Sequence, residues 1–503
     1  MDAISGLLYG LSVCVIPINM FAVLLGVIVG TLVGVLPGLG PVGAIALLLP
    51  ITMKLPAETS LIMLAGIYYG SMYGGSTTSI LINVPGEAAS VPTTIDGYQM
   101  AKKGRAGAAL AVAAVGSFVA GTLGVIGLMF FAPTLAKFAL SFGPPEFFAI
   151  ALLGLATLSR LSGGPLWQGL LVLAFGLALA TIGMDPVSSF PRYTMGVNEL
   201  TQGIELVPVV MGLFGIGEVL MVAEKAGGLP QITKVKFRDL FPTRREWKRA
   251  WPAILRGTGV GFIWGLIPGP SPILSAFTSY NLEQRISKNP GEFGQGAIEG
   301  VAGPESANNA AVDGALVPML SLGVPFTPGT AMLLAALVIQ GIQPGPLLIA
   351  ERPEVFWGVV ASLYIGNVAL LILNLPLIGL WISMLRIPQT ILVALIIILT
   401  LLGAYTINNS SLDLIVLMVM GVIGYIFRKV EFDISPMVLA LVLGPMLETT
   451  FRQSLYLNQG DPWIFFQRPI SASLLFVLLA IFILPPILRL FKKRSSRLDP
   501  AAD

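Results

Sequence analysis

Apolar runs of membrane-spanning length recur along the whole chain, at about 57–95, 106–132, 146–162, 164–184, 203–223, 296–342, 355–382, 387–405, 412–428, 432–447 and 470–490. About 20 apolar residues suffice to cross the hydrocarbon of a bilayer as a helix. A chain with this many such runs has lipid as its solvent, and there the backbone must satisfy its own hydrogen bonds. The composition agrees: 55% of the 503 residues are hydrophobic, 11% are charged and the mean hydropathy is +0.86. The predicted fold class is therefore an all-α polytopic membrane protein with roughly ten to twelve crossings.

Several chemistries lack their residues. There is no His, and the single Cys14 sits in an apolar stretch, so neither a disulfide framework nor a thiolate or imidazole metal site is available. No phosphate loop of the form G-x-x-x-x-G-K-[ST] occurs, and no cofactor or nucleic acid is expected. The first cation is Lys54, so the N-terminus does not fit a cleaved signal peptide.

Two further apolar stretches, 15–53 and 252–281, are broken by Pro and Gly and read as hairpins that enter and leave on one side. With that threading, 23 of the 29 Lys and Arg fall on one side of the membrane. Cytoplasmic loops carry the excess of basic residues, which places the C-terminus in the cytoplasm. Six cations remain outside: Lys54, Lys137, Arg192, Arg352, Arg452 and Arg468. Trp247 and Trp251, within the basic REWKRAW, read as interfacial anchors.

The chain also repeats itself. VGVLPGLGPVGAI around Gly38 is echoed by IWGLIPGPSPILS around Gly269, 231 residues later, and SILINVPG answers MLSLGVPF at an offset of 240. AKKGRAG then answers VIQGIQPG in the same order. These anchors predict a first repeat over 1–223, a basic cytoplasmic linker over 224–256, a second repeat over 257–490 and a cytoplasmic tail over 491–503. The charges flanking matching elements are opposite, as inverted topology requires. Each repeat holds one Pro-Gly re-entrant hairpin and one interrupted helix.

Irregular backbone survives at membrane depth only where protein buries it or where it lines a wet cavity. Interrupted segments at corresponding positions of two halves point to a transporter's binding site. The predicted substrate and ion site is accordingly built from the two hairpin tips, Pro37, Gly38 and Gly40 with Pro268, Gly269 and Ser271. The first interrupted span adds Gly74, Gly75, Ser76, Thr77, Thr78 and Asn83, and the second adds Ser321 and Thr327. Ser71, Ser79 and Thr330 lie in the same stretches.

The run GPESANNAAVD places Glu305, Asn308, Asn309 and Asp313 within an apolar span, where ionisable groups are costly and rarely idle. Hydroxyls and amides can hydrogen-bond a carboxylate or ligate a hard cation, and Na+ is expected near Gly38, Gly269 and Asn308. Glu305 or Asp313 is the candidate proton carrier if the coupling ion is H+. For Asp313 the expectation is that it caps a half-helix instead. Glu87 and Asp96 fall in a polar bend read as a cavity mouth or a connecting loop.

The stretches LPGLGPVGAIALLLPIT, YYGSMYGGSTTSILINVPGEAASVPTTIDGYQMAKKGRAG and FGQGAIEGVAGPESANNAAVDGALVPMLSLGVPFTPGTAMLLAAL resemble the large membrane subunit of tripartite tricarboxylate transporters, the TctA type. The resemblance covers nearly the whole chain. It implies a bacterial inner-membrane importer of citrate or related carboxylates, driven by an ion gradient of Na+ or H+. Its implied partners are a small TctB-type membrane subunit and a TctC-type periplasmic solute-binding protein. An elevator-like mechanism follows by analogy with other binding-protein-dependent secondary transporters. A polytopic intramembrane enzyme and a passive anion channel stay open beside this. The enzyme needs a catalytic grouping that Glu305 and Asp313, eight residues apart in one segment, do not make; the channel has no need of paired broken helices.

Overall fold

In the computed structural model the described residues are 2–36, 40–161, 164–224, 240–385 and 389–498. They are helical nearly throughout, and the strands among them form one short antiparallel ladder, Gly183–Met184 with Pro191–Arg192. Contacts divide the chain into two compact units, residues up to 140 with 204–434, and residues 141–203 with 435 onward.

The first unit opens with α1 (Ala3–Cys14), α2 (Pro17–Val35), α3 (Gly40–Thr52), α4 (Ala57–Ile82), α5 (Val91–Lys102) and α6 (Ala106–Ala139). The second unit takes α7 (Pro144–Leu161) and α8 (Leu166–Ala180). The chain then returns to the first with α9 (Leu206–Val210) and α10 (Gly217–Glu224), which flank a π-helical turn, and continues with α11 (Arg244–Gly265), α12 (Ser271–Ile286) and α13 (Glu299–Leu322). Next come α14 (Pro328–Ile339), α15 (Leu348–Glu351), α16 (Pro353–Asn374), α17 (Ile378–Met384), α18 (Gln389–Asn408) and α19 (Ser411–Lys429). The second unit closes with α20 (Ser435–Leu457), α21 (Ile464–Gln467) and α22 (Pro469–Leu498).

Among the described residues, five helical segments combine the length and apolarity of a bilayer crossing: α2, α6, 206–224, α16 and α19. The chain is a multi-pass, all-α membrane protein. Helix α11 starts at Arg244, inside the stretch expected as a linker. Its Thr243 and Glu246 form a reciprocal cap, the hydroxyl accepting from the Glu246 N–H while the Glu246 carboxylate accepts from the Thr243 N–H.

Glycine spacing decides how the first unit packs. In α2, Gly26, Gly30 and Gly34 lie directly against the carbonyls of Met63, Ile67 and Ser71 in α4. In α11, Gly257, Gly261 and Gly265 lie against the carbonyls of Gly303, Ala307 and Ala311 in α13. Small residues every four positions let two backbones approach where lipid supplies no hydrophobic drive between helices. The three positions in α11 follow those in α2 by 231, and the carbonyls in α13 follow those in α4 by 240.

Both long helices stop in the same way. Asn83 (φ 58°) caps α4 and Gly323 (φ 71°) caps α13 in the left-handed region that L side chains avoid, Asn and Gly least. A short irregular segment follows each, 83–87 and 323–327. The next helix begins from a reciprocal cap, Glu87 with Ser90 in the first case and Thr327 with Thr330 in the second. The interruptions therefore come after the polar stretches rather than within them. Both GSMYGGSTTS and GPESANNAAVD are continuous helix.

In the second unit Gly176 of α8 packs on Met437 and Ala440 of α20. Phe148, Phe451 and Phe465 form an aromatic cluster with centroids 4.7 to 5.8 Å apart. Arg468 donates to the buried Glu146 at 2.7 Å. Outside the helices, Asp185 accepts the N–H groups of Val187 and Ser188, both at 2.8 Å, and pairs with Arg452 at 3.0 Å. The Ser188 and Val187 amides, then Arg452, hold its carboxyl well below the usual carboxylate range. A depressed folded-state pKa contributes stability that is complete above the unfolded value of ~3.9 and is lost as the pH falls below it. The protection factors of Val187 and Ser188 in hydrogen exchange are thus expected to be constant from about pH 5 to 8 and to fall below about pH 4. Asp185→Asn is expected to raise exchange throughout and to remove the acid transition.

Candidate functional site

Helix α13 carries two buried carboxyls, Glu305 and Asp313, and two buried amides, Asn308 and Asn309. Glu305, Asn308 and Asn309 follow at helical spacings of three and four, so they occupy one flank, and none is more than 1% exposed. Each reaches a different neighbour. The Thr93 hydroxyl on α5 donates to Glu305 Oε1. The Asn308 amide donates to Glu87 Oε1 at 2.8 Å, and that of Asn309 donates to Ser117 Oγ on α6 at 2.7 Å and to the Glu305 carbonyl at 3.0 Å.

One oxygen of each is left over. Glu305 Oε2, Asn308 Oδ1 and Asn309 Oδ1 are buried and have no hydrogen-bond partner among the described residues. Leaving a buried acceptor unmade costs about 1–3 kcal/mol, and three such acceptors on one helical flank make it the candidate site. All three are acceptors. They suit a proton donor or a hard cation, not an anion. No cluster of three Cys, Asp or Glu occurs among the described residues, so amides and hydroxyls would have to complete a cation's shell.

The two helix breaks meet this flank and its counterpart. Glu87, in the first break, caps residues 88–90, accepts the Ala89 N–H at 3.1 Å and accepts from Asn308 of α13. Thr327, in the second break, caps α14 and lies 3.4 Å from the Tyr68 hydroxyl of α4. The contacts exchange under one offset, because Thr327 follows Glu87 by 240 and Asn308 follows Tyr68 by 240. The segment before α12 meets the second break, where Gly269 (φ 147°) donates to the Phe326 carbonyl at 3.1 Å, and in the first break Gly86 rests on the Gly34 carbonyl near the end of α2.

A family model, that of the tripartite tricarboxylate transporter TctA family, matches residues 20–439, across both helix breaks and both polar helices. The chain belongs to the TctA family. It is similar to an uncharacterized 52.8 kDa protein of Agrobacterium vitis from the TAR-I ttuC' 3' region, at 45% identity over 98% of either chain. A second Agrobacterium vitis protein, uncharacterized and from the TAR-II ttuC' 3' region, is 46% identical over 47% of this chain and 97% of its own. No solved structure matches.

Within this TctA-family chain the other residues expected at the site fall into distinct places. Gly75 makes room for Glu87, since a β-carbon there would stand 2.8 Å from Glu87 Cγ. Gly74 belongs to the α2–α4 crossing, against Thr31 and Val35. Ser76, Thr78 and Ser321 donate to their own helix, to the carbonyls of Tyr73, Gly75 and Val317, as Ser 71 does to Tyr68. Ser79 donates to Gly75 and to Ser90 of the first cap, and Thr77 is buried. Asn83 is the left-handed cap. Pro268, Gly269 and Ser271 are at the second tip, where the Ser271 N–H donates to the Gly269 carbonyl at 2.8 Å. Gly40 (φ 59°) begins α3, while Pro37 and Gly38 lie outside the described residues.

Asp313 does not cap a half-helix. It sits in the middle of α13, where the Tyr69 hydroxyl lies 2.7 Å from both carboxyl oxygens and Gly124 of α6 closes over it. Sequence reading also passed over Thr93, Ser117 and Tyr68. The 240-residue offset that pairs Asn308 with Tyr68 was the available signal for one of these three.

Proposed function

We propose that this chain is the large permease subunit of an ion-gradient-driven importer of tricarboxylates or related carboxylates across the bacterial inner membrane. It works with a TctB-type membrane subunit, and a TctC-type periplasmic protein delivers the substrate. The observation that carries the reading is the exchanged pair of contacts, Glu87 with Asn308 and Tyr68 with Thr327, each joining a helix break of one half to the long helix of the other. Two inverted repeats, 1–223 and 257–490, account for it, with 224–256 as a cytoplasmic linker and 491–503 as a cytoplasmic tail.

On this reading the coupling cation, Na+ or H+, is held by the unpartnered oxygens of Glu305, Asn308 and Asn309. The N-terminus of α14, capped only by the neutral Thr327 and Thr330, presents its positive end to a substrate carboxylate. The equivalent first-half cap already carries the protein's own carboxylate, Glu87. The hairpin tips and breaks move together as the transport element of an elevator, and the remaining helices hold them.

Uptake by the complete three-component system in proteoliposomes, with Na+ and pH gradients imposed separately, tests this. Glu305→Gln is expected to lower gradient-driven uptake about tenfold or more, the scale of one hydrogen bond to a charged group, and to weaken dependence on the coupling ion. Unchanged uptake with unchanged ion dependence would remove Glu305 from the site.

A further inference from the structure

The basic stripe of α11 borders a cavity that the transport reading does not use. Arg245, Lys248, Arg249, Pro252 and Arg256 line one wall of a cleft of about 540 Å³, and Glu283, Ile286, Ser287, Lys288 and Asn289 at the end of α12, with Glu299 of α13, line the other. Two of its five cations are committed. Arg249 makes hydrogen-bonded pairs with Glu299 and Glu292, and Arg256 makes a two-pronged pair with the buried Glu283. Arg245, Lys248 and Lys288 are exposed and make no ion pair among the described residues. With both lining acids paired, the cleft keeps a surplus of three positive charges.

The surface next to it is apolar. One position round the helix from Pro252 and Arg256, Trp251 and Leu255 are 43% and 54% exposed, and Ile263 continues the strip at 61%. Trp247 stacks toward Trp251 with centroids 6.0 Å apart. Ile286, inside the cleft, is 49% exposed. A free inorganic anion has no use for this strip, whereas an amphiphile fits both parts. Basic pockets between helices at a membrane boundary bind phosphate head groups, and Trp marks the depth at which those head groups lie.

We propose that this cleft is a binding site for an anionic phospholipid, its phosphate held by Arg245, Lys248 and Lys288 and its acyl chain laid along Trp251, Leu255 and Ile263. Arg249 and Arg256 shape the pocket through their ion pairs and are not required to release their carboxylates.

The full chain in phosphatidylcholine nanodiscs, titrated with phosphatidylglycerol and with inorganic phosphate in separate arms, tests this by native mass spectrometry of retained lipid. The probe variant is the triple Arg245→Gln, Lys248→Gln, Lys288→Gln, which leaves both ion-pair sets intact. Wild-type protein is expected to retain phosphatidylglycerol saturably over phosphatidylcholine, and the triple variant to lose at least about tenfold in apparent affinity, given about 1 kcal/mol per basic residue near an anionic surface. Leu255→Gln is expected to weaken phosphatidylglycerol without changing any weak phosphate binding. Equal retention by the triple variant overturns the proposal, and so does displacement of phosphatidylglycerol by an equal concentration of inorganic phosphate. Uptake is not the readout, so a failed transport reading would leave this result standing.

Discussion

Gly86→Ala is expected to abolish most transport while leaving a folded protein in the membrane. A β-carbon at this position lands on the Gly34 carbonyl of α2 and stands 2.6 Å from Gly75 Cα and 2.8 Å from Thr78 Oγ1 of α4. Two of those three neighbours are backbone, so the first break itself must move. Forcing one extra methyl into a filled site costs typically 1–3 kcal/mol, which the large α2–α4 contact can absorb. Glu87 is the next residue, and it cannot keep both the Ala89 N–H and the Asn308 amide once its backbone has shifted. Losing the bond to a charged partner amounts to about 1.5–3 kcal/mol, or about ten- to a hundredfold in a binding constant. Uptake is expected to fall by that factor, while thermal unfolding in detergent shifts by only a few degrees. A variant with unchanged uptake would show that the Glu87–Asn308 junction is not part of the transport path.

That junction shows where the sequence was legible. Pro-Gly pairs and the GPESANNAAVD run announce themselves because proline, glycine and acids are expensive in an apolar helix. Their partners do not. Glu87 sits in a loop-like bend with Ser, Thr and Pro around it, and nothing local distinguishes a buried capping carboxylate from a solvated one. Thr93, Ser117 and Tyr68 are ordinary residues for membrane helices, and only tertiary contact selects them. The hydroxyls of Ser71, Ser76, Thr78 and Ser321 show the opposite error. Their density suggested a polar lining, but a Ser or Thr inside a helix has an acceptor three or four residues back, and these take it. Asp313 looked like a cap because acids favour helix N-termini; its helix begins fourteen residues earlier, at Glu299, and a tyrosine from α4 supplies its hydrogen bonds.

Helix packing was legible in principle and went unread, since the 231-residue offset that relates the Pro-Gly tips also carries Gly26, Gly30 and Gly34 onto Gly257, Gly261 and Gly265. A paired substitution on α11 isolates what that spacing does. A β-carbon at Gly261 falls on the Ala307 carbonyl and 2.8 Å from Ala307 Cα, all of it backbone of α13, whereas one at Gly259, two residues earlier, meets nothing within 4 Å. Gly259→Ala is therefore expected to be neutral or to stabilise by about 0.5–1 kcal/mol, the ordinary gain of replacing glycine within a helix. Gly261→Ala gains the same and must pay for separating α11 from α13, with a net loss of about 2 kcal/mol or more. Opposite shifts in the thermal midpoint, measured in the same detergent, are the expected result. Because α13 carries Glu305, Asn308 and Asn309 on another flank, separation at Ala307 also turns those side chains, so Gly261→Ala is expected to lower uptake more than its loss of folded protein explains. If both variants unfold alike, backbone contact through the glycine stripe does not hold α11 to the polar helix, and the close approach at Ala307 is incidental to the fold.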